Sequence, residues 1–522
     1  MSKCSLSWLL LVLAPALIPG ARGLEAADAA TTGSLREAIT VAELQRHVQV
    51  LSDDTFEGRE AGSRGGRAAA GYIGREFQRH KLAGGGTAGG YYQSFGAQYR
   101  NILGLLEGAD PQLKDELIVI GAHYDHVGYG TAQNSYGPTG YIHNGADDNA
   151  SGVAGLLEMI KAFSQLETRP KRSILFAHWD GEEKGLLGSK HWVAEPTLPL
   201  ARVRLMVNID MIGRLRNDYV EVYGSRTGRD LRRLVSLQNV EPNLRLGFSW
   251  TMREDSDHYS FYLRGIPVLM FHTGLHDDYH RPSDDVEKLN LAGMQRVARL
   301  LCGVLYELAD RPQLSGFRHA GRTDTEQARQ AFERPLAPLA GRLGLAWDPA
   351  AERAGQGLRV SRVAPGSGAE QGGLRPGDRI VRFNGQEVQT GADLRPLVWT
   401  AASPAKVAVE RGTVERGTVA ELVELNVPLG GAPVRLGFSW RTDPAEPHAA
   451  VLCRVVPDSV AAQAGLRQND RVYEVSGRTF DSSDEFKRLL ASSDEPIELL
   501  VERQGRLQTV ALSPQAAEPN SE

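Results

Sequence analysis

The sequence predicts an α/β domain with a mainly parallel central sheet flanked by helices, followed by two small β-rich domains. Three observations carry this. From about Val41 to Asp310, apolar runs of strand length alternate with helical patterns, the signature of parallel strands joined by helices. Residues 311–338 are polar and bounded by prolines, and read as a linker holding a short helix. Beyond them the texture changes to short strands and an internal duplication.

In chain order, the strand-like runs of the first domain are ELIVIGA (116–122), SILFAHW (173–179), RLMVNIDM (204–211) and IPVLMF (266–271). A helical run follows Ala150, and another spans about Leu289–Leu308. The duplication aligns LGLAW (343–347) and VSRVAPGSGAEQGGLRPGDRIVRFNGQEV (360–388) with LGFSW (436–440) and LCRVVPDSVAAQAGLRQNDRVYEVSGRTF (452–480). Its two copies set domain boundaries at 339–429 and 434–514.

A net charge of -5 gives no overall attraction to nucleic acid or anionic membrane, which disfavours both as partners. The apolar stretch from about Ser5 to Ile18, preceded by Lys3 and followed by Ala21-Arg22-Gly23, has the layout of a cleaved signal peptide over residues 1–23. It is shorter than the ~20 residues of a spanning helix, so the expected location is secreted or periplasmic. Cys302 and Cys453 sit in apolar contexts and read as buried thiols rather than a disulfide framework.

The polar residues of interest follow the apolar runs, where parallel sheets place their sites. In HYDH (123–126), His123 and Asp125 share one side of the strand, and a carboxylate suits the second N–H of a metal-bound imidazole. NGADDNASG (144–152) sets Asp147 beside Asp148, a repulsive pair that suggests a cation or helix capping, or both. DGEEKGLLGS (180–189) brings Glu182 and Glu183 to a third strand end, so one can ligate while the other handles protons. NIDMIG carries Asp210, costly to bury unpaired, and GLHDDYHRPSDD (274–285) adds Tyr279 and His280.

These segments, in this order, resemble the co-catalytic di-zinc aminopeptidase family, which includes secreted bacterial leucine-type enzymes and, more distantly, glutamate carboxypeptidases, glutaminyl cyclases and the transferrin receptor ectodomain. The match covers residues 41–310. The resemblance implies two Zn2+ per catalytic domain, with Asp147 bridging, His123 and Asp210 completing one position, and Glu183 and His280 the other. It implies Glu182 as general base, Asp125 as the carboxylate orienting His123, Tyr279 as a support for the tetrahedral oxyanion, and a cis peptide bond at Asp147-Asp148. The expected substrates are peptides with a free amino terminus. Asp257 and His258 resemble a segment near the substrate pocket, and His272 and His276 read as structural.

Each repeat is similar to a PDZ domain of the bacterial exported type, which implies binding of peptide or protein carboxy-terminal tails at a sheet edge. Arg342 and Arg435, just before the two loops, are candidates to assist a carboxylate. Two other readings stay open: a carboxypeptidase or glutaminyl cyclase on the same scaffold, and an inactive PDZ adaptor. The adaptor reading expects lost ligands, whereas every position is filled.

Overall fold

The computed structural model describes residues 29–412, 420–493 and 496–513. The segment read as a signal peptide lies outside them. Among the described residues, no helix is long and apolar enough to cross a membrane.

The first domain is built on a nine-stranded sheet. Its strands are β1 (Ala83–Gly84), β2 (Tyr92–Phe95), β3 (Tyr99–Leu106), β4 (Leu117–His123), β5 (Ser173–Trp179), β6 (Val203–Ile209), β7 (Tyr219–Tyr223), β8 (Arg245–Phe248) and β9 (Val268–His272). They lie in the order β1-β3-β5-β4-β6-β9-β7-β8, with β2 also paired to β3. The four central strands, β5, β4, β6 and β9, are mutually parallel. β3 and β7 join antiparallel on either side, so the sheet is mixed at its margins and parallel where the polar motifs emerge.

The central strands read as unbroken apolar runs because both faces are covered. Alternation still decides which face each side chain meets. In β4, Ile118 and Ile120 face the core shared with the helices Val41–Leu51, Gly152–Ser164 and Leu291–Asp310. Leu117 and Val119 face the opposite core, with Trp179, Trp192 and Phe261. The chain must leave the sheet where the apolar run stops, and for β4, β5, β6 and β9 this happens at one shared edge.

The helix Glu326–Glu333, capped by the Thr325 side chain, lies within the expected linker. Its Phe332 ring packs on Trp250, so this segment is a strap against the first domain.

The duplicated region forms two five-to-six-stranded sheets. The first contains β10 (Leu345–Trp347), β11 (Leu358–Val363), β12 (Arg379–Phe383), β13 (Gln386–Glu387), β14 (Ala405–Arg411) and β15 (Glu421–Val427). The second contains β16 (Phe438–Asp443), β17 (Glu446–Val455), β18 (Arg471–Val475), β19 (Ile497–Arg503) and β20 (Arg506–Leu512). β10 and β16, which hold the repeated LGLAW and LGFSW strings, are edge strands.

The second of these modules is fastened to the first domain. Arg232 is bidentate to the buried Glu502 carboxylate at 3.0 and 3.1 Å, and Arg226 donates to Asp443 at 3.0 Å. The Leu246 N–H donates to the Gln504 carbonyl at 2.8 Å, and Leu237 packs against a small core of Ala449, Tyr473 and Leu500. Cys302 and Cys453 are both buried free thiols.

Candidate metal centre

His123 is the last residue of β4, and its Nε2 atom lies 3.3 Å from Asp210 Oδ1, which follows the end of β6. The same nitrogen lies 3.4 Å from Asp148 Oδ1. The other oxygen of that carboxylate, Asp148 Oδ2, is 3.1 Å from His280 Nε2 and 3.7 Å from His126 Nδ1. Glu183 closes this second group, with Oε1 2.9 Å from His126 Nδ1 and Oε2 3.2 Å from His280 Nε2. Asp148 thus gives one oxygen to each of two donor groups: His123, Asp148 and Asp210, and His126, Asp148, Glu183 and His280.

The sequence-based assignment of Asp147 to the shared position is corrected here. Asp147 turns the other way. Its Oδ1 accepts from the Gly213 N–H at 2.6 Å and the Ser151 hydroxyl at 3.0 Å, and its Oδ2 lies 3.2 Å from His276 Nε2. The cis peptide bond is likewise one position later than expected, at Asp148-Asn149. The helix-capping alternative holds for Asn149 alone, whose Oδ1 accepts from Gly152 N at 3.0 Å.

What turns Asp148 inward is a loop held from both sides. Asp284 Oδ2 accepts from the backbone N–H groups of Asp147 and Asp148 at 2.9 and 3.1 Å. From the opposite side, the buried Arg59 guanidinium donates to the carbonyls of Tyr124, Leu51, Asn144 and Gly145 at 2.6–3.0 Å. Burial lowers its pKa to about 10 against the pull of nearby acids such as Asp148 and Asp284, so it stays charged. The sequence singled out neither Arg59 nor Asp284 for this role.

Asp125 does a different job from the one expected. Its two oxygens accept from the N–H groups of Glu182 and Glu183 at 3.1 and 3.3 Å, fixing the turn that presents both glutamates. His123 Nδ1 is nearer the Asp125 backbone carbonyl, at 3.2 Å, than its carboxylate, at 3.9 Å. Ser256 donates to Asp210 Oδ2 at 2.8 Å, so the segment holding Asp257 and His258 steadies that acid through its serine. Tyr279 stacks on His280 with ring centroids 3.9 Å apart. His272 Nδ1 accepts from the Gly274 N–H at 2.7 Å within its own loop.

The charges of the group are tuned by this crowding. Burial, reinforced by Glu183, Asp210 and Asp257, pushes the Glu182 carboxyl well above the usual range, though His123 pulls it back. Burial alone would raise Glu183, but the hydrogen bond from His126 and the nearby His280 imidazole outweigh it and hold the carboxyl well below its usual range. Burial also opposes charge on His280, yet Asp148 and Glu183 prevail and lift it to about 10. Burial raises Asp257 to about 7.

Several observations test whether these residues fit metal ions. His280 Nε2 approaches two carboxylates closely but is aligned for a hydrogen bond with neither, and His126 Nε2 is buried without a partner. Three acids converge on three imidazoles in these two groups, a donor set that suits a cation. A third cluster of Glu43, His47 and Glu158 does not: Arg46 lies 3.0 Å from His47 Nε2 and Lys161 3.0 Å from Glu158. Beside the paired groups opens a cavity of about 460 Å³, walled by Met211, Tyr223, Met270, Leu275 and Tyr279 and reaching Glu182.

An α/β sheet gathering imidazoles and carboxylates at its carboxyl edge is the build of a metal-dependent hydrolase. The sequence profile of peptidase family M28 matches residues 101–305, and that of the PDZ domain matches 359–411 and 451–503. Over 250 residues the chain is 30% identical to the Escherichia coli uncharacterized protein YfbL, a match covering 40% of this chain and 70% of that protein. The chain belongs to peptidase family M28 and carries two PDZ domains after its peptidase domain.

Two other relatives are named for their activity. Aminopeptidase YwaD of Bacillus subtilis is 27% identical over 218 residues, covering 40% of this chain and 44% of YwaD. A probable leucine aminopeptidase of Arthroderma benhamiae is 29% identical over 211 residues, covering 38% of this chain and 56% of that protein. The chain thus spans about half the length of these two relatives.

The two arginines offered for carboxylate binding are otherwise engaged. Arg342 is buried and donates to the carbonyls of Val398, Ala401 and Gly430 at 2.6–3.0 Å. Arg435 Nη1 lies 3.5 Å from the Leu490 carbonyl.

Proposed function

We propose that this chain is an exported aminopeptidase holding two Zn2+, one at His123, Asp148 and Asp210 and one at Asp148, Glu183 and His280. The observation that carries the reading is the Asp148 carboxylate, which offers one oxygen to each donor group. When bound, the two cations would supply Lewis acidity, lowering the pKa of water and polarising the scissile carbonyl.

The remaining steps belong to side chains of the chain. Glu182 takes a proton from the attacking water and returns it to the leaving amine, and its raised pKa suits a group that must both accept and release. Asp125 keeps Glu182 in place through the backbone N–H it accepts. Tyr279, at the mouth of the cavity, donates to the oxyanion of the tetrahedral intermediate. The acids Glu182, Glu221 and Asp255 on the cavity wall outnumber its Arg253, which lies 3.6 Å from Asp255, and favour the cationic amino terminus of a peptide. The edge strands β10 and β16 accept carboxy-terminal tails of substrates or partners by strand addition. Export is carried by the apolar segment near the amino terminus.

The test is zinc content beside turnover. Glu182→Gln is expected to keep its zinc and lose about 10²–10⁴-fold in kcat on a leucine arylamide. Retained turnover in that variant would remove Glu182 from the mechanism.

A further inference from the structure

The two donor groups are not equivalent. The resemblance noted from the sequence assigns one imidazole to each end, yet the Glu183 end has two. His126 and His280 meet edge to face, their ring centroids 5.5 Å apart, and their nitrogens converge on the same pair of carboxylates. His126 Nδ1 lies 2.9 Å from Glu183 Oε1, and His280 Nε2 lies 3.2 Å from Glu183 Oε2. Both nitrogens also face Asp148 Oδ2, at 3.7 and 3.1 Å. The four donor atoms at this end lie within 4.8 Å of one another.

His126 is held there rather than swung in by chance. Its backbone N–H donates to the Arg59 carbonyl at 3.2 Å, it is fully buried, and its other nitrogen has no partner. At the opposite end, among the described residues, three donors converge: His123, Asp148 and Asp210. Four protein donors make a closed tetrahedral site for zinc, whereas three leave a position for water or substrate.

Resting on the two-cation reading above, we propose that His126 is a fourth protein donor at the Glu183 end. The pair then divides its work. His126, Asp148, Glu183 and His280 would hold their cation the more tightly, while His123, Asp148 and Asp210, one donor fewer, would leave room for water or substrate beside Glu182.

The experiment titrates the metal-stripped full chain with Zn2+ against a chromophoric chelator, and records the visible absorption of the Co2+-loaded chain, for wild type, His126→Ala and His126→Asn. The wild type should show a tight and a weaker class of site. His126→Ala should weaken the tight class by at least about tenfold and leave the weaker one nearly unchanged. The Co2+ bands should change with it. His126→Asn, whose amide oxygen can occupy the Nδ1 position, should recover part of the affinity, and it carries the test alone if the alanine variant does not fold.

Unchanged Zn2+ affinities, or an affinity loss with unaltered Co2+ bands, would overturn the proposal and leave His126 as a hydrogen-bond donor to Glu183. A wild-type chain that binds fewer than two Zn2+ would instead overturn the two-cation reading itself, and this proposal with it.

Discussion

Asp147 and Asp148 are adjacent, chemically identical and both buried, yet only Asp148 faces the two histidine groups. Replacing either with asparagine keeps volume and removes charge, so the pair makes an internal control. Asp148→Asn is expected to lose most bound zinc, because one carboxylate oxygen serves each group. Asp147→Asn is expected to keep it, since the oxygen that accepts from Gly213 and Ser151 survives. Metal analysis of the two variants reads the difference directly. The sequence made the acidic pair legible but not the choice within it. That choice is set by Asp284, 136 residues further along, and by Arg59, 89 residues earlier, and such distant hydrogen bonds leave no local pattern. His126 escaped for a related reason: in HYDH it looks like a repeat of His123, and only the fold brings it to Glu183.

Among the elements, the four parallel strands were legible because burial on both faces demands continuous apolar runs, and LIVIGA and SILFAHW have them. The antiparallel margins were not, since β3 and β7 are ordinary short strands whose direction depends on the path of the chain. The helix after Asn149 was legible, but the loop before it owes its shape to Arg59. Arg59→Met should therefore leave several buried carbonyls without donors. It is expected to lower stability by at least about 3 kcal/mol, each orphaned acceptor costing roughly 1–3 kcal/mol, as read by urea unfolding of the full chain. Little change would show that water replaces the guanidinium.

For the whole molecule, the duplication foretold two PDZ modules but not that the second is fastened to the peptidase domain. Removing one partner of the buried Arg232–Glu502 pair strands a charge, so Arg232→Ala should cost about 3–5 kcal/mol, while replacing both with apolar residues should cost far less. Limited proteolysis between the domains would rank the variants. The same interface carries a pH dependence. His448 Nδ1 lies 2.6 Å from Asp230, and this hydrogen bond raises the histidine above its ordinary 6.5. A raised folded-state pKa stabilises fully below 6.5 and fades as pH climbs through the raised value. Hydrogen exchange at residues 445–448 should accelerate over that window, and His448→Gln should flatten it.

The central claim, that these residues form a zinc-dependent site acting on free amino termini, is tested most directly by one comparison. The chain, stripped of metal and then reloaded with Zn2+, is assayed on leucine arylamide and on the same compound with its amine acetylated. Hydrolysis of the free-amine substrate alone, absent after stripping and restored by zinc, is the expected result. Equal or preferential hydrolysis of the acetylated compound, or turnover indifferent to metal, would contradict the claim.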